Sequence, residues 1–169
     1  MSSRRPHPTS STTIADRPHV DDIGVLLTLA LGAFKERLHA HLADAGYADL
    51  GPSFGFVFRS LADGPLSLVA LAQRLGMSAQ GALKIASEMV DRGYVERRDD
   101  PTDKRVRQLV LTARGRAALR AARRFHLQVE KELTASNGAV QVSGARAVLR
   151  ALAGERVTEP LDWSEDRPF

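Results

Sequence analysis

Two short stretches hold the residue types that nucleic-acid chemistry requires. Ser78-Ala79-Gln80-Gly81-Ala82-Leu83-Lys84 opens with a helix-capping hydroxyl, then offers an amide and an ammonium within two helical turns. A glutamine pairs bidentately with adenine in the major groove, and a lysine reaches guanine or a phosphate. Gly81 lets backbone approach closely, and the N–H groups of a helix N-terminus, around Ser78 and Ala79, attract a phosphate. Further on, Lys104 and Arg105 stand on a turn between Asp100 and Val106, with Arg97 and Arg107 on either side. A lone arginine on such a loop suits a narrow minor groove, where negative potential is strongest. Asp103 is expected to order the loop by pairing with a basic neighbour, because a carboxylate facing phosphates would be repelled.

Other chemistries fit less well. Gly51-Pro52-Ser53-Phe54-Gly55 matches the G-x-S-x-G pattern of a hydrolase nucleophile elbow. That chemistry needs a strand before the serine and a parallel sheet around it, and the pattern here follows a helix. No general acid–base pair, phosphate-binding loop or metal-ligand spacing stands out, so no catalytic residue, cofactor or metal is expected. His41 and His126 lie on apolar stripes, and two histidines without a carboxylate partner are weak metal ligands. With Phe34, Leu38, Phe54 and Phe58 they form a candidate pocket for an aromatic ligand. The plainer alternative is core packing.

The chain of 169 residues is 43% hydrophobic and 26% charged, a globular balance. It has no cysteine, which excludes disulfides, thiolate zinc sites and thiol chemistry. No apolar run is long enough to cross a membrane, and Met1 to Arg17 lacks the apolar stretch of a signal peptide; the expected compartment is the cytoplasm. The net charge of +4 is unevenly spread: residues 84–124 hold twelve basic and six acidic groups. Such a concentration suits a phosphate-binding surface.

The elements that must position these residues follow from periodicity and punctuation. Residues 1–19 read as a disordered arm, rich in Ser, Thr and Pro. After Asp21 or Asp22, Ile23, Leu26, Leu27, Ala30, Phe34, Leu38, His41 and Leu42 recur at helical spacing until Gly46. Gly51-Pro52 predicts the start of a second helix, running to about Asp63 with Phe54, Val57, Phe58 and Leu61 inward. Leu68 to Leu75, closed by Gly76, and Ala79 to Arg92, capped by Ser78 and closed by Gly93, predict a helix-turn-helix. Leu71, Leu75, Met77, Ala82 and Ile85 are its expected buried residues. Tyr94 to Arg98 and Val106 to Leu111 predict a two-stranded hairpin with a charged tip. Thr112 predicts the cap of a long helix with a seam of Leu119, Ala122, His126, Val129 and Leu133, ended by Asn137-Gly138. A last short helix is expected from Ser143 to about Ala153, before a polar tail at 155–169 that bears Trp163. The expected fold is mainly α with a small β-hairpin wing: a winged helix-turn-helix with six helices and a helical dimerisation region.

These residues resemble the MarR family of bacterial winged-helix regulators. The resemblance lies in Asp103-Lys104-Arg105 on the wing and in Leu111-Thr112-Ala113-Arg114-Gly115 after it. Gly93-Tyr94-Val95-Glu96-Arg97 and Leu61-Ala62-Asp63-Gly64-Pro65-Leu66-Ser67 add to it. It spans roughly residues 21–153. Gly55 departs from a usually larger apolar residue, and Gln80-Gly81 stand where Ser or Thr is common. The resemblance implies a homodimerisation helix in 20–50, a DNA-binding winged helix in 51–111 and further dimerisation helices in 112–154. It implies a homodimer on a pseudo-palindromic operator in double-stranded DNA, most often a repressor, with affinity lowered by a small aromatic or phenolic effector. Arg105 then matches the minor-groove arginine, Asp103 the wing-ordering residue, and Ser78, Ala79, Gln80, Gly81 and Lys84 the major-groove side. The alternative is a winged-helix module that binds protein without specific DNA binding.

Overall fold

The computed structural model describes residues 22–103 and 105–154, so the expected arm, the tail with Trp163, and Lys104 lie outside the described residues. Along the chain come α1 (Ile23–Asp44), α2 (Phe54–Leu61), β1 (Leu66–Ser67), α3 (Leu68–Leu75) and α4 (Ala79–Asp91). They are followed by β2 (Val95–Asp99), β3 (Arg107–Leu111), α5 (Ala113–Asn137) and α6 (Ala139–Ala153). The chain divides into two compact units, Met1–Glu36 and Arg37–Phe169, with the division inside α1. In the first unit, Asp22 Oδ1 accepts from the N–H groups of Gly24 and Val25 at 2.8 and 3.2 Å, the acidic helix start expected from sequence.

The second unit holds the core. Phe54, Val57, Phe58 and Leu61 of α2 meet Leu71, Ala86, Met89, Val95, Leu109, Leu111, Ala118 and Leu119 around Tyr94, which is fully buried. The rings of Phe54 and Phe58 stand edge-on to Tyr94, with centroids 6.0 and 5.7 Å away. Burying each such side chain contributes about 1.5–3 kcal/mol.

Helix α4 begins, and α3 and α4 both end, as their capping residues predict, and Ser67 adds a cap to α3. Ser67 and Ser78 accept from the N–H groups of Ala70 and Gly81 at 3.2 and 3.1 Å. At the far ends Gly76 (φ 62°) and Gly93 (φ 73°) adopt the left-handed turn. Gly76 N–H donates to Gln73 O and Met77 N–H to Ala72 O, both at 3.1 Å, and the same pair of bonds recurs from Gly93 to Val90 and from Tyr94 to Met89. This double bond pattern satisfies the orphan carbonyls of each helix end.

Several expectations need correction. Helix α2 starts at Phe54, later than Gly51-Pro52 suggests, because Pro52 and Ser53 turn and the Phe54 ring folds over Gly51; a Cβ on Gly51 would lie 2.8 Å from that ring. The sheet has a third strand: β1 pairs antiparallel with β3 (Leu66 opposite Leu109), while β3 pairs with β2 from Val95–Leu111 to Asp99–Arg107. Met77 is 38% exposed, since its amide is tied to α3 and its sulfur lies beside Gly81. On α5 the buried line is Gly115, Ala118, Leu119, Ala121, Phe125 and Val129, which leaves Ala122 and His126 half-buried and Leu133 exposed. The face turned to the chain's own core is thus rotated from the predicted seam. Helix α6 begins at Ala139, because Gly138 both ends α5 and precedes α6 directly.

The junction of α4, the hairpin and α5 is tied by polar groups. Thr112 N–H donates to Tyr94 O at 3.0 Å, its hydroxyl donates to Gly93 O at 2.6 Å, and its Oγ1 accepts from Gly115 N–H at 3.0 Å. Beside it, Asp49 accepts from the Tyr94 hydroxyl and from Arg114 Nη2, at 3.0 and 3.2 Å for its two oxygens. The Arg114 guanidinium also lies over the Tyr94 ring, 4.7 Å from its centroid. Arg92 donates to the Asp49 carbonyl, so the loop after α1 is fastened to both α4 and α5. The Tyr94 hydroxyl bond, aided by Arg114, holds the Asp49 carboxyl below its ordinary pKa.

Two outcomes follow for stability. A Cβ on Gly115 would lie 2.1 Å from Tyr94 O, so Gly115→Ala should destabilise the fold by about 1–3 kcal/mol or more in urea unfolding; unchanged stability would contradict the close approach. Because the folded pKa of Asp49 is lowered, its contribution is present above the unfolded value, about 3.9, and lost as pH falls through the folded one. The stability gap between the native chain and Asp49→Asn should therefore narrow as pH drops below about 4. A gap that stays constant from pH 7 to pH 3 would contradict the assignment.

Candidate nucleic-acid interface

Helix α4 buries Ala82, Ala86 and Met89 against the core and turns Ala79, Gln80, Leu83 and Lys84 outward. Its N-terminal turn is capped by Ser78, and Ser78, Ala79 and Gln80 are exposed. Gln80 and Lys84 are one turn apart on that outer face, the spacing at which helical side chains lie side by side. Gly81 is placed differently from the sequence expectation. It is half-buried, its N–H is taken by Ser78, and a Cβ there would meet Ser78 Oγ at 3.3 Å and Met77 Sδ at 3.7 Å. It faces the turn, not open solvent. Leu83, 43% exposed, and Ser87 lie on or beside the outer face and were not among the residues expected from sequence.

The wing brings its cations near this helix in unequal states. Arg97 Nη2 donates to Ser87 Oγ at 2.8 Å, which braces β2 against α4. Arg107 pairs with Asp99 across the hairpin at 3.1 Å, and Arg98 pairs with Glu96. Arg105 is exposed, and among the described residues its guanidinium has no ion pair or hydrogen bond. Asp103 Oδ1 accepts from the main-chain N–H of Arg105 at 2.9 Å, a contact to backbone and not the side-chain pairing expected.

A residue that sequence reasoning passed over does more in the loop. Asp100 Oδ1 accepts from the N–H and hydroxyl of Thr102 at 2.7 and 2.6 Å and from Asp103 N–H at 3.2 Å. Its Oδ2 accepts from Gln108 Nε2. These bonds, led by the Thr102 hydroxyl, hold its carboxyl below the ordinary range. The signal was present as Asp-Pro-Thr, since an aspartate two residues before a threonine is a common loop-ordering turn.

The candidate pocket residues fall in both compact units. Phe54 and Phe58 are core side chains against Tyr94. Phe34 lies in the first unit, and Leu38 is half-buried on α1. His41 and His126 both border Phe125, with ring centroids 5.5 and 6.1 Å from it. His41 Nε2 is buried without a hydrogen-bond partner. Burial, then the charge of Arg59, lowers the pKa of His126, and burial lowers that of Arg59. A separate cavity of about 310 Å³ is lined by His39, Leu42, Ala43, Tyr47 and Leu50, and shares none of the expected residues. Among the described residues no group of three or more His, Cys, Asp or Glu could hold a metal ion, and no helix is long and apolar enough to cross a membrane. Ser53 precedes α2 with only α1 before it, so the strand a nucleophile elbow needs is not there among the described residues.

Solved structures share this architecture. A mutant of MarR from E. coli complexed with operator DNA is 22% identical, with a TM-score of 0.61, and the match covers 78% of this chain and 93% of that one. CouR, a transcriptional repressor bound to a 23-mer DNA duplex, is 24% identical with a TM-score of 0.62, covering 79% of this chain and 93% of that one. YusO from Bacillus subtilis is 19% identical with a TM-score of 0.60, covering 78% and 92%. No curated protein sequence matches the chain. The family model described as MarR family matches residues 56–106, from the middle of α2 to the end of the wing loop. Over that segment the chain is similar to the MarR family, and the solved structures share its winged-helix fold.

Proposed function

We propose that the chain is a sequence-specific, DNA-binding transcriptional regulator that acts as a homodimeric repressor on a pseudo-palindromic operator. One observation carries the reading: a capped helix N-terminus with outward Gln80 and Lys84 stands beside a wing whose Arg105 guanidinium has no ion pair or hydrogen bond among the described residues. Gln80 and Lys84, with the N-terminal turn of Ser78 and Ala79, read and anchor in the major groove, and Arg105 enters the minor groove. Lys104, the neighbour of Arg105 in sequence, adds its charge, and Arg97 and Arg107 contribute charge close to the phosphates. The operator DNA and duplex DNA in the MarR and CouR structures support this use of the fold.

The homodimer is supported by apolar surface that one chain leaves open. Leu133 of α5 and Val140, Val148, Leu149 and Leu152 of α6 are 48–81% exposed. Apolar side chains gathered on two consecutive helices mark an association surface. A small aromatic or phenolic effector that lowers operator affinity is the further element of the proposal. The buried, unbonded His41 Nε2 beside Phe125 supports it, because a buried polar atom without a partner is costly until a ligand or water supplies one.

Two measurements test the reading on a duplex selected by the purified protein from a random pool. Arg105→Ala should weaken binding by about 1–3 kcal/mol, and unchanged affinity would remove Arg105 from the interface. For a dimer making about 6–10 phosphate contacts, log affinity against log salt should fall with a slope near −5 to −9. A shallow slope would favour the protein-binding alternative.

A further inference from the structure

We infer that Asp100 is the positioning residue that determines how the wing presents Arg105, although it does not touch Arg105 itself. The inference rests on Arg105 being a DNA contact. Asp100 stands just beyond β2, and its N–H donates to Val106 O at 3.0 Å, which closes the base of the wing loop. Its carboxylate then works in two directions. Inward, Oδ2 accepts from Gln108, which sits on the middle strand opposite Arg98 of β2 and Ser67 of β1. Outward, Oδ1 gathers Thr102 and the N–H of Asp103.

The dependence continues to the tip. Asp103 Oδ1 accepts from Arg105 N–H at 2.9 Å, and Asp103 O accepts from Val106 N–H at 2.9 Å. Arg105 is therefore held at its main chain by two carboxylates in series, of which only Asp100 is fastened to the sheet by its side chain. Without Asp100, the bond from Asp103 to Arg105 would order one turn of a loop whose base is loose. Binding would then have to order residues 100–106, and such ordering is subtracted from affinity. An ionised carboxylate suits the task because it is purely an acceptor, with room for all four donors.

The test uses the full chain and the duplex selected from a random pool, with Asp100→Ala, Asp100→Asn, Arg105→Ala and the Asp100→Ala/Arg105→Ala double variant. Asparagine keeps Oδ1 for Thr102 and Asp103, and the Gln108 amide can turn its oxygen to the new NH₂. Arg105→Ala should lose about tenfold or more in affinity. Asp100→Ala should lose a similar factor, Asp100→Asn should bind close to the native chain, and the double variant should match the single ones within about twofold. Losses that multiply, or an Asp100→Ala variant that binds normally while Arg105→Ala is weakened, would overturn the inference. Full affinity in Arg105→Ala would instead overturn the reading beneath it, and the inference with it. A general weakening of the fold would multiply with the loss from Arg105→Ala and lower the melting temperature, so both are measured. Should Asp100→Ala fail to fold, Gln108→Leu removes only the inward anchor. It should weaken binding in the presence of Arg105 and have no further effect in its absence; a loss independent of Arg105 would overturn the inference.

Discussion

The carbonyl of Tyr94 lies where helix α4 has ended, strand β2 is about to begin and helix α5 comes back past them. Thr112 donates its amide to that oxygen and its hydroxyl to the carbonyl one residue before it, then caps α5 through Gly115. The approach is so close that the site has no room for a side chain at Gly115. Three elements are fixed at one point, and the wing extends from it. The Leu-Thr-x-x-Gly pattern is thus a packing requirement: leucine for the core, threonine for three backbone partners, and glycine for contact between helix and carbonyl. The Tyr94 ring extends the same constraint inward between Phe54 and Phe58, and its hydroxyl extends it outward to Asp49 and Arg114.

Charge in this chain is arranged more finely than its total suggests. The basic stretch at 84–124 supplies Arg92, Arg97, Arg98, Arg107 and Arg114, and each of these has a partner within the chain. Exposed ion pairs of this kind are worth about 0–1 kcal/mol each, so their main effect is to place side chains. Lys84 on the helix and Arg105 on the wing remain outward on two elements held by the same junction. A basic surface alone would give adhesion to any polyanion. On the proposed reading, two cations and an amide held on one framework give selectivity, because the groups must meet complementary features of one duplex together.

The helical framework was legible because its signals are local. Ser78 and Thr112 accept the capping bonds their types predict, and Gly76 and Gly93 supply the turns that close α3 and α4. What escaped depends on contacts distant in sequence. A two-residue strand such as β1 has too few residues to show alternation and exists only because β3 lies beside it. The inward line on α5 passes through Phe125, whereas a heptad count favours His126; the position of the core decides between neighbours that periodicity cannot separate. Asp49 is missed for the same reason, whereas Asp100 carries a local signal in Asp-Pro-Thr that shows its turn but not its anchor on Gln108. Asp49 is an ordinary loop aspartate until Tyr94 and Arg114 are folded next to it.

The central claim is that the chain recognises particular DNA sequences as a symmetric pair. The direct measurement is to incubate the purified protein with sheared genomic DNA from its own source and sequence what it retains. The account predicts strong enrichment of a few fragments that share an inverted repeat, with its two halves about one or two helical turns apart. Uniform retention of all fragments would reduce the surface to a non-specific basic face. Retention of none, with the protein folded and free of bound small molecules, would contradict the claim outright.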